Sequence, residues 1–257
     1  MITVSTKEFT DAFKKCQKVV AKKPTLPILG SVKVESNNGV LSIYATDLAN
    51  FIKVNIPCVS DKNEAIAFSD IKSLLKALPV LGNSVSFELS DNGSKVSIIS
   101  ESKKMMQDTL PVDEYPSWPV VSQLTDVKTY TLNGGDFDSI YQKLKHSISD
   151  EDARPVLNGI FVKPSYFGST NGFVASTISN NLLTGGDFNI HTLSADLFKM
   201  INNGTLTVGN NGGSSSPFYF FENESTFLAG WLVSGNMPDI PQITPQLSRS
   251  DFLLTEN

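Results

Sequence analysis

The apolar positions of this chain fall into short alternating runs, interrupted at intervals by a helical stripe. Ile2 and Val4 alternate with polar neighbours, the period-two signature of a half-buried strand. From Thr6 the period changes: Phe9, Ala12, Phe13, Cys16 and Val20 share one face of a helix predicted to run to about Ala21. Pro24 and Pro27 end it, because the residue before a proline is pushed out of the helical region. Strands are then predicted at 28–35, 40–46, 51–58 and 64–68, with Asn37-Asn38-Gly39 as a hairpin turn. Ser69 is expected to cap a shorter helix, 70–78, that buries Ile71, Leu74, Leu75 and Leu78. Strands at 84–90, 95–100 and 104–110 follow, the first two joined by Asp91-Asn92-Gly93. Strand, helix and three strands thus occur twice.

The second half repeats the first at an offset of 128 residues. Ile2 and Val4 match Tyr130 and Leu132, and Phe9 and Phe13 match Phe137 and Tyr141. Pro27-Ile28-Leu29 matches Pro155-Val156-Leu157, and Ile71, Leu74 and Leu75 match Leu197, Met200 and Ile201. Pro116 matches Pro238, and Thr46 matches Thr177 if three residues are inserted in the hairpin. Ordered matches of this kind point to duplication of one module. The reading is a duplicated α+β fold: a first domain over 1–121, a linker over 122–128, a second domain over 129–245 and a tail over 246–257.

Composition narrows the function. The 257 residues include 40% hydrophobic positions, enough for sizeable cores, but no apolar run approaches the ~20 residues of a bilayer span. The N-terminus lacks the layout of a signal peptide, and Cys16 and Cys58 form no metal or redox spacing, so a reducing cytoplasm is expected. Cys16 lies on the apolar helix face and is expected to be a buried thiol. The net charge of -5 is uneven: residues 1–125 carry 14 Lys against 13 acids, and residues 126–257 carry 7 Lys/Arg against 13 acids. Lys7, Lys14, Lys15, Lys18 and Lys22 gather on the polar face of the first helix, with Glu8 and Asp11 as the acids nearby. Such a face is either a solvated helix back or a phosphate-facing surface.

Catalytic chemistry is hard to find. His146 and His191 are the two histidines, in no metal or triad spacing. The loop Gly209–Ser216 lacks the Gly-Lys-Ser/Thr ending of a phosphate loop. Asp47, at the end of a strand, could serve as an acid but such an Asp more often hydrogen-bonds a loop, and Asp150-Glu151-Asp152 reads as a solvated loop rather than a cation site. No catalytic residue, metal or cofactor is expected.

Three blocks carry a family resemblance: KPTLPILGSVKVE with the downstream ATDL, DEDARPVLNGIFV, and LVSGNMPDIPQITP. Their order and spacing over residues 1–245 resemble the first two domains of bacterial DNA polymerase III beta subunits, the sliding clamps. That family carries three such domains, and this sequence carries two. The resemblance implies a non-enzymatic ring with helices inside and sheets outside, which encircles double-stranded DNA without reading its sequence and tethers a polymerase. Six domains from two-domain chains imply a homotrimer. Candidate edges for pairing between subunits are strand 104–110 and its counterpart near 226–233.

The resemblance also implies sites. Lys7, Lys14, Lys18, Lys22, Lys23, Lys72, Lys76, Lys143 and Lys199 are the expected DNA-facing cations, touching phosphate rather than base edges. A pocket for short linear motifs of polymerase and clamp loader carries over to Leu157, Thr177, Asn180, Asn181, Leu182, Pro238, Gln242 and Ile243. Asn180 and Asn181 stand where a His-Arg pair is usual, and Ser179 where a Gly is usual. An alternative pocket lies near Thr46, Leu48, Pro116 and Val121. The competing readings are a clamp-like scaffold that binds replication proteins without encircling DNA, and an enzyme or carbohydrate-binding protein on the same fold.

Overall fold

The structure is a computed structural model and describes residues 1–90, 93–101, 103–151, 153–211 and 216–243. The turn residues Asp91 and Asn92, Asp152, positions 212–215 of the glycine-rich loop, the last two residues of the expected second domain and the tail 246–257 lie outside the described residues.

The first pass of strand, helix and three strands is β1 (Ile2–Ser5), α1 (Thr6–Gln17), β2 (Val32–Asn37), β3 (Val40–Thr46) and β4 (Asn50–Pro57). After a short β5 (Val59–Ser60) the second pass is β6 (Ala65–Phe68), α2 (Ile71–Ala77), β7 (Ser84–Leu89), β8 (Lys95–Ile99) and β9 (Lys104–Leu110). The later half gives β10 (Leu124–Leu132), α3 (Gly134–Leu144), β11 (Gly159–Val162), β12 (Tyr166–Thr170) and β13 (Ala175–Ser179). It continues with β14 (Phe188–His191), α4 (Thr192–Leu197), β15 (Gly204–Asn211), β16 (Pro217–Glu222), β17 (Thr226–Trp231) and the one-turn α5 (Ile240–Ile243). Residues 124–128, expected as linker, begin β10, with a register shift between Thr125 and Lys128.

Local chemistry sets these boundaries. Ser5 Oγ accepts from the Glu8 amide at 3.4 Å and caps α1. Phe9 and Phe13 then pack on Phe68 and Phe87, with Phe9–Phe87 ring centroids 4.9 Å apart and Phe13–Phe68 5.8 Å. The helix ends at Gln17, a turn short of expectation. Lys18 and Val19 bond back to Lys15 and Cys16, three residues earlier, which tightens the last turn and buries Val19 instead of Val20. Residues 27–30, expected to open a strand, form a 3₁₀ turn instead, with Pro27 at its start and Ser31 Oγ donating to the Ile28 carbonyl at 2.6 Å. Asp70, not Ser69, caps α2. Its carboxylate accepts from the Ser73 amide at 3.0 Å, whereas Ser69 Oγ donates to the Asp108 carbonyl at 2.7 Å. Asn38 (φ 49°) and Gly39 (φ 79°) both adopt positive φ, as the tight β2–β3 hairpin requires. Cys16 is fully buried, its thiol directed at the Ile43 carbonyl.

Contact density divides the chain into two compact units: Met1–Phe137 with Asp196–Leu232, and Asp138–Ala195 with the described residues from Val233 onward. In the first unit one antiparallel sheet has the order β10-β15-β16-β17-β4-β3-β2-β6-β9-β8-β7-β1-β5. In the second unit the order is β13-β12-β11-β14. The two halves of the chain follow one plan. The run β1-β7-β8-β9 recurs as β10-β15-β16-β17, and β6-β2-β3-β4 recurs as β14-β11-β12-β13.

The sheet edges differ from expectation. The edge near 226–233 is not free, because β17 pairs with β16 on one side and with β4 on the other, from Thr226↔Val54 to Gly230↔Asn50. Strand β9 is an edge over part of its length: Lys104–Asp108 pair with β8 alone, and β6 is reached only by Thr109 and Leu110.

Candidate functional site

Two features stand out: a basic helix face in the first unit and a cleft in the second. In the first unit α1 and α2 pack against each other. Both turn apolar residues inward (Phe9, Phe13 and Cys16; Ile71 and Leu74) and leave lysines outside. Lys7, Lys14 and Lys18 on and just after α1, Lys22 and Lys23 beyond it, and Lys72 and Lys76 on α2 are all exposed. Among the described residues none of these seven forms an ion pair within 4.0 Å. Lys15, by contrast, donates to Thr226 Oγ1 at 3.3 Å. Lys143 is exposed on α3. Lys199 differs from the rest: it is half-buried in the turn after α4, and Asp196 holds its ammonium at 2.5 Å.

In the second unit a cleft of about 540 Å³ is lined by Ala153, Arg154, Pro155, Val156, Leu157, Ser234, Asn236 and Pro238. Its floor is built from sequence outward. Leu157, Phe161 and Ile240 form a buried apolar cluster, against which Val156, Tyr166 and Met237 pack. Asn189 Nδ2 donates to the Val156 carbonyl at 2.7 Å and fixes that wall. The β12–β13 turn comes close to one lining residue: a Cβ built on Gly172 would lie 3.4 Å from the Arg154 guanidinium. The arrangement combines an apolar floor, an exposed cation and an open rim, which suits a short peptide carrying apolar side chains.

The expected pocket residues separate. Leu157 and Pro238 line the cleft, and Gln242 and Ile243 are exposed on α5, which packs beside β13. Thr177 is exposed on β13. Asn180 is buried and structural: its Nδ2 donates to the carbonyls of Lys163 (2.7 Å) and Leu183 (2.9 Å), and its Oδ1 accepts from the amides of Leu182 and Leu183. Those bonds place Asn180, Asn181 and Leu182 at the β11–β12 end of the hairpin, opposite the turn that borders Arg154.

The reason is a repeat register that differs from the sequence match. Thr46 Oγ1 donates to the Asn50 carbonyl and accepts from the Leu48 amide, while Asp47 Oδ1 accepts from the amides of Ala49 and Asn50. Thr170 and Asn171 repeat all four bonds with Val174, Gly172 and Phe173. The counterpart of Thr46 is therefore Thr170, not Thr177, and four residues are removed before the β12–β13 turn rather than three inserted. The shared Thr-Asx pair was the available signal for this register; Arg154, which lines the cleft, was not among the expected residues. Asp47 is spent on its turn, as is Asn171.

The alternative pocket is smaller, about 220 Å³, and includes Thr46, Phe51, Tyr115, Pro116 and Trp118. Aromatic rings occupy most of the space beside it. Trp118 meets Tyr44 and Phe51 edge-on, at 5.6 and 6.0 Å, and the Tyr115 hydroxyl donates to the Tyr44 carbonyl at 3.0 Å. Burial raises the Tyr115 phenol well above its ordinary value. Leu48 and Val121 are exposed and line no part of it. Among the described residues no His, Cys, Asp or Glu side chains converge as a metal site would, and no helix is long and apolar enough to cross a membrane.

Comparison with known proteins agrees with this architecture. Residues 1–119 match the family model "DNA polymerase III beta subunit, N-terminal domain". The beta sliding clamp of Rickettsia bellii is 24% identical over 269 residues, covering 98% of this chain and 68% of that protein. The beta sliding clamp of Micrococcus luteus is 22% identical, covering 96% and 80%. The crystal structure of the DNA polymerase sliding clamp from Bacillus subtilis superposes with a TM-score of 0.83 at 18% identity, over 96% of this chain and 68% of that one. The duplicated strand–helix–three-strand plan agrees with these matches: residues 1–119 match the beta-subunit N-terminal domain, and the chain as a whole is similar to the beta sliding clamps, non-catalytic processivity factors, over about two thirds of the length of the Rickettsia and Bacillus proteins.

Proposed function

We propose that this chain is a DNA sliding clamp whose two clamp domains, 1–121 and 129–245, build a six-domain ring from three copies around duplex DNA in the cytoplasm. The observation that carries the reading is the pair α1 and α2, packed together with seven exposed lysines that meet no carboxylate among the described residues. An acidic protein that keeps these cations unpaired on and just beyond two adjoining helices has a surface suited to phosphate. In the ring the helices face the DNA, and Lys7, Lys14, Lys18, Lys22, Lys23, Lys72, Lys76 and Lys143 touch its backbone. Lys199 contributes less, because Asp196 already neutralises it. Individually weak, salt-sensitive phosphate contacts allow the ring to slide.

DNA polymerase and clamp loader dock through short linear motifs. The cleft at Leu157 and Pro238 takes their apolar side chains, Arg154 meets an acidic or carbonyl group, and Gln242, Ile243 and Thr177 form the rim beyond α5. Asn180, Asn181 and Leu182 support the hairpin rather than the peptide. The reading is tested by retention on DNA. The protein should stay bound to nicked circular duplex through gel filtration at moderate salt, and linearising the circle should release it. Equal loss from circular and linear DNA, with polymerase binding intact, would favour the second reading, a clamp-like scaffold. The ion pair at Lys199 and the single exposed lysine on α3 among the expected contacts are the observations that favour that alternative.

A further inference from the structure

We infer that the cavity between the end of α1 and the start of α2 docks an acidic protein segment bearing a large apolar side chain, and that this segment and DNA exclude each other. The inference rests on the phosphate-facing reading of the two helices and adds to it a competing partner.

The cavity measures about 550 Å³. Val20, Ala21, Pro24, Pro27, Ile71 and Leu110 give it an apolar lining, to which Lys22 and Lys72 add exposed ammonium groups. Local folding makes it. The tightened last turn of α1 puts Val19 into the core and leaves Val20 half-buried against the cavity. Pro24 and Pro27 fix the backbone torsion of the wall that follows. Gly30 lets that wall close up, since a Cβ there would lie 3.2 Å from Pro24 Cγ. The far wall is the start of α2, held by the Asp70 cap and by the bond from Ser69 Oγ to the Asp108 carbonyl. Walls fixed in this way form the pocket before any ligand arrives.

Three observations set the chemistry of the occupant. Among the described residues the lining holds no aromatic ring, so a nucleobase would have no face to stack on, whereas a leucine or phenylalanine side chain would lose its contact with water. Lys22 and Lys72 form no ion pair among the described residues, while Asp70, the acid in the lining, already accepts from the Ser73 amide at 3.0 Å. The Gln17 side-chain amide, half-buried in the lining, meets no hydrogen-bond partner among the described residues and leaves a donor and an acceptor for a peptide backbone. An apolar side chain flanked by carboxylates matches all three. The same two ammonium groups are phosphate contacts in the reading above, so segment and duplex cannot both occupy them.

A pair of peptides tests the site on the full chain. Fluorescein-labelled Glu-Asp-Leu-Phe-Glu-Asp should bind about tenfold more tightly than Glu-Asp-Ser-Ser-Glu-Asp, which has the same charge, by anisotropy at moderate salt. Unlabelled duplex DNA should displace it. Val20→Trp fills the cavity without altering a charge, and should erase the preference while affinity for duplex DNA stays within about twofold. Arg154→Ala, in the second-unit cleft, should leave the preference in place. Equal binding of the two peptides to the parent chain, a measurement that needs no variant, would overturn the docking site. So would a preference that survives Val20→Trp or vanishes with Arg154→Ala. A preference that Val20→Trp removes but duplex DNA does not disturb would uphold the docking site and contradict the phosphate reading of Lys22 and Lys72.

Discussion

Thr170 holds the β12–β13 turn through the same pair of hydrogen bonds by which Thr46 holds the β3–β4 turn: each hydroxyl donates to the carbonyl four residues on and accepts from the amide two residues on. The equivalence fixes the register of the repeat and identifies β13 as the counterpart of β4.

A stability series checks that equivalence. Thr46 and Thr170 are buried, so Thr46→Val and Thr170→Val each take the hydroxyl acceptor from a turn amide and should cost about 1–3 kcal/mol. Thr177 is exposed, and Thr177→Val should stay within about 0.5 kcal/mol of the parent. Urea denaturation of the three variants reads the difference; a cost at Thr177 equal to that at Thr170 would restore the original match.

Charge reversal separates the lysines. Lys14→Glu with Lys18→Glu should lower affinity for duplex DNA and flatten its dependence on salt by about two phosphate contacts. Lys199→Glu should change the salt dependence less, because Asp196 already pairs with that ammonium. Fluorescence anisotropy across a salt series distinguishes the two.

The cleft predicts a separable partner defect. Arg154 is exposed beside Gly172, so Arg154→Ala should leave the melting temperature unchanged and weaken binding of a polymerase-derived peptide about tenfold. Calorimetry with the peptide measures it, and unchanged affinity would move the docking site elsewhere.

The buried thiol gives a pH test. Burial raises the Cys16 pKa well above its ordinary value, so the folded state holds that proton where the unfolded chain releases it. The contribution of this group is full below the unfolded thiol's value of about 8.5 and is lost progressively as pH rises above it. Cys16→Ala should flatten the alkaline fall in stability, at the cost of a small cavity. In the native protein the half-exposed Cys58 should react with a thiol reagent first, and Cys16 only on unfolding.

Much of this fold was legible because its signals are local. Alternation located β3, β4 and β7 to β9 to within a residue or two, Asn38-Gly39 marked its hairpin, and the Phe9–Phe13–Cys16 stripe gave α1 its inner face. What escaped was set by tertiary context. The end of α1 depends on a tightened last turn at Lys18 and Val19. The cap of α2 depends on whether Ser69 or Asp70 faces the helix amides, and Asp108 draws Ser69 away. The pairing of β17 with β4 joins residues more than 170 positions apart, and no spacing in the sequence encodes it. The lysine face could be read from the helical wheel, but the ion pair between Lys199 and Asp196 could not. The repeat register shifted at one turn, where Thr177 resembled Thr46 as a residue but Thr170-Asn171 resembled Thr46-Asp47 as a turn.

The most direct test of the central claim is the absolute mass of the 257-residue chain in solution, measured by light scattering over a range of concentrations. The account predicts a species of three times 27.9 kDa that persists on dilution. A constant mass of 27.9 kDa at every concentration would contradict it.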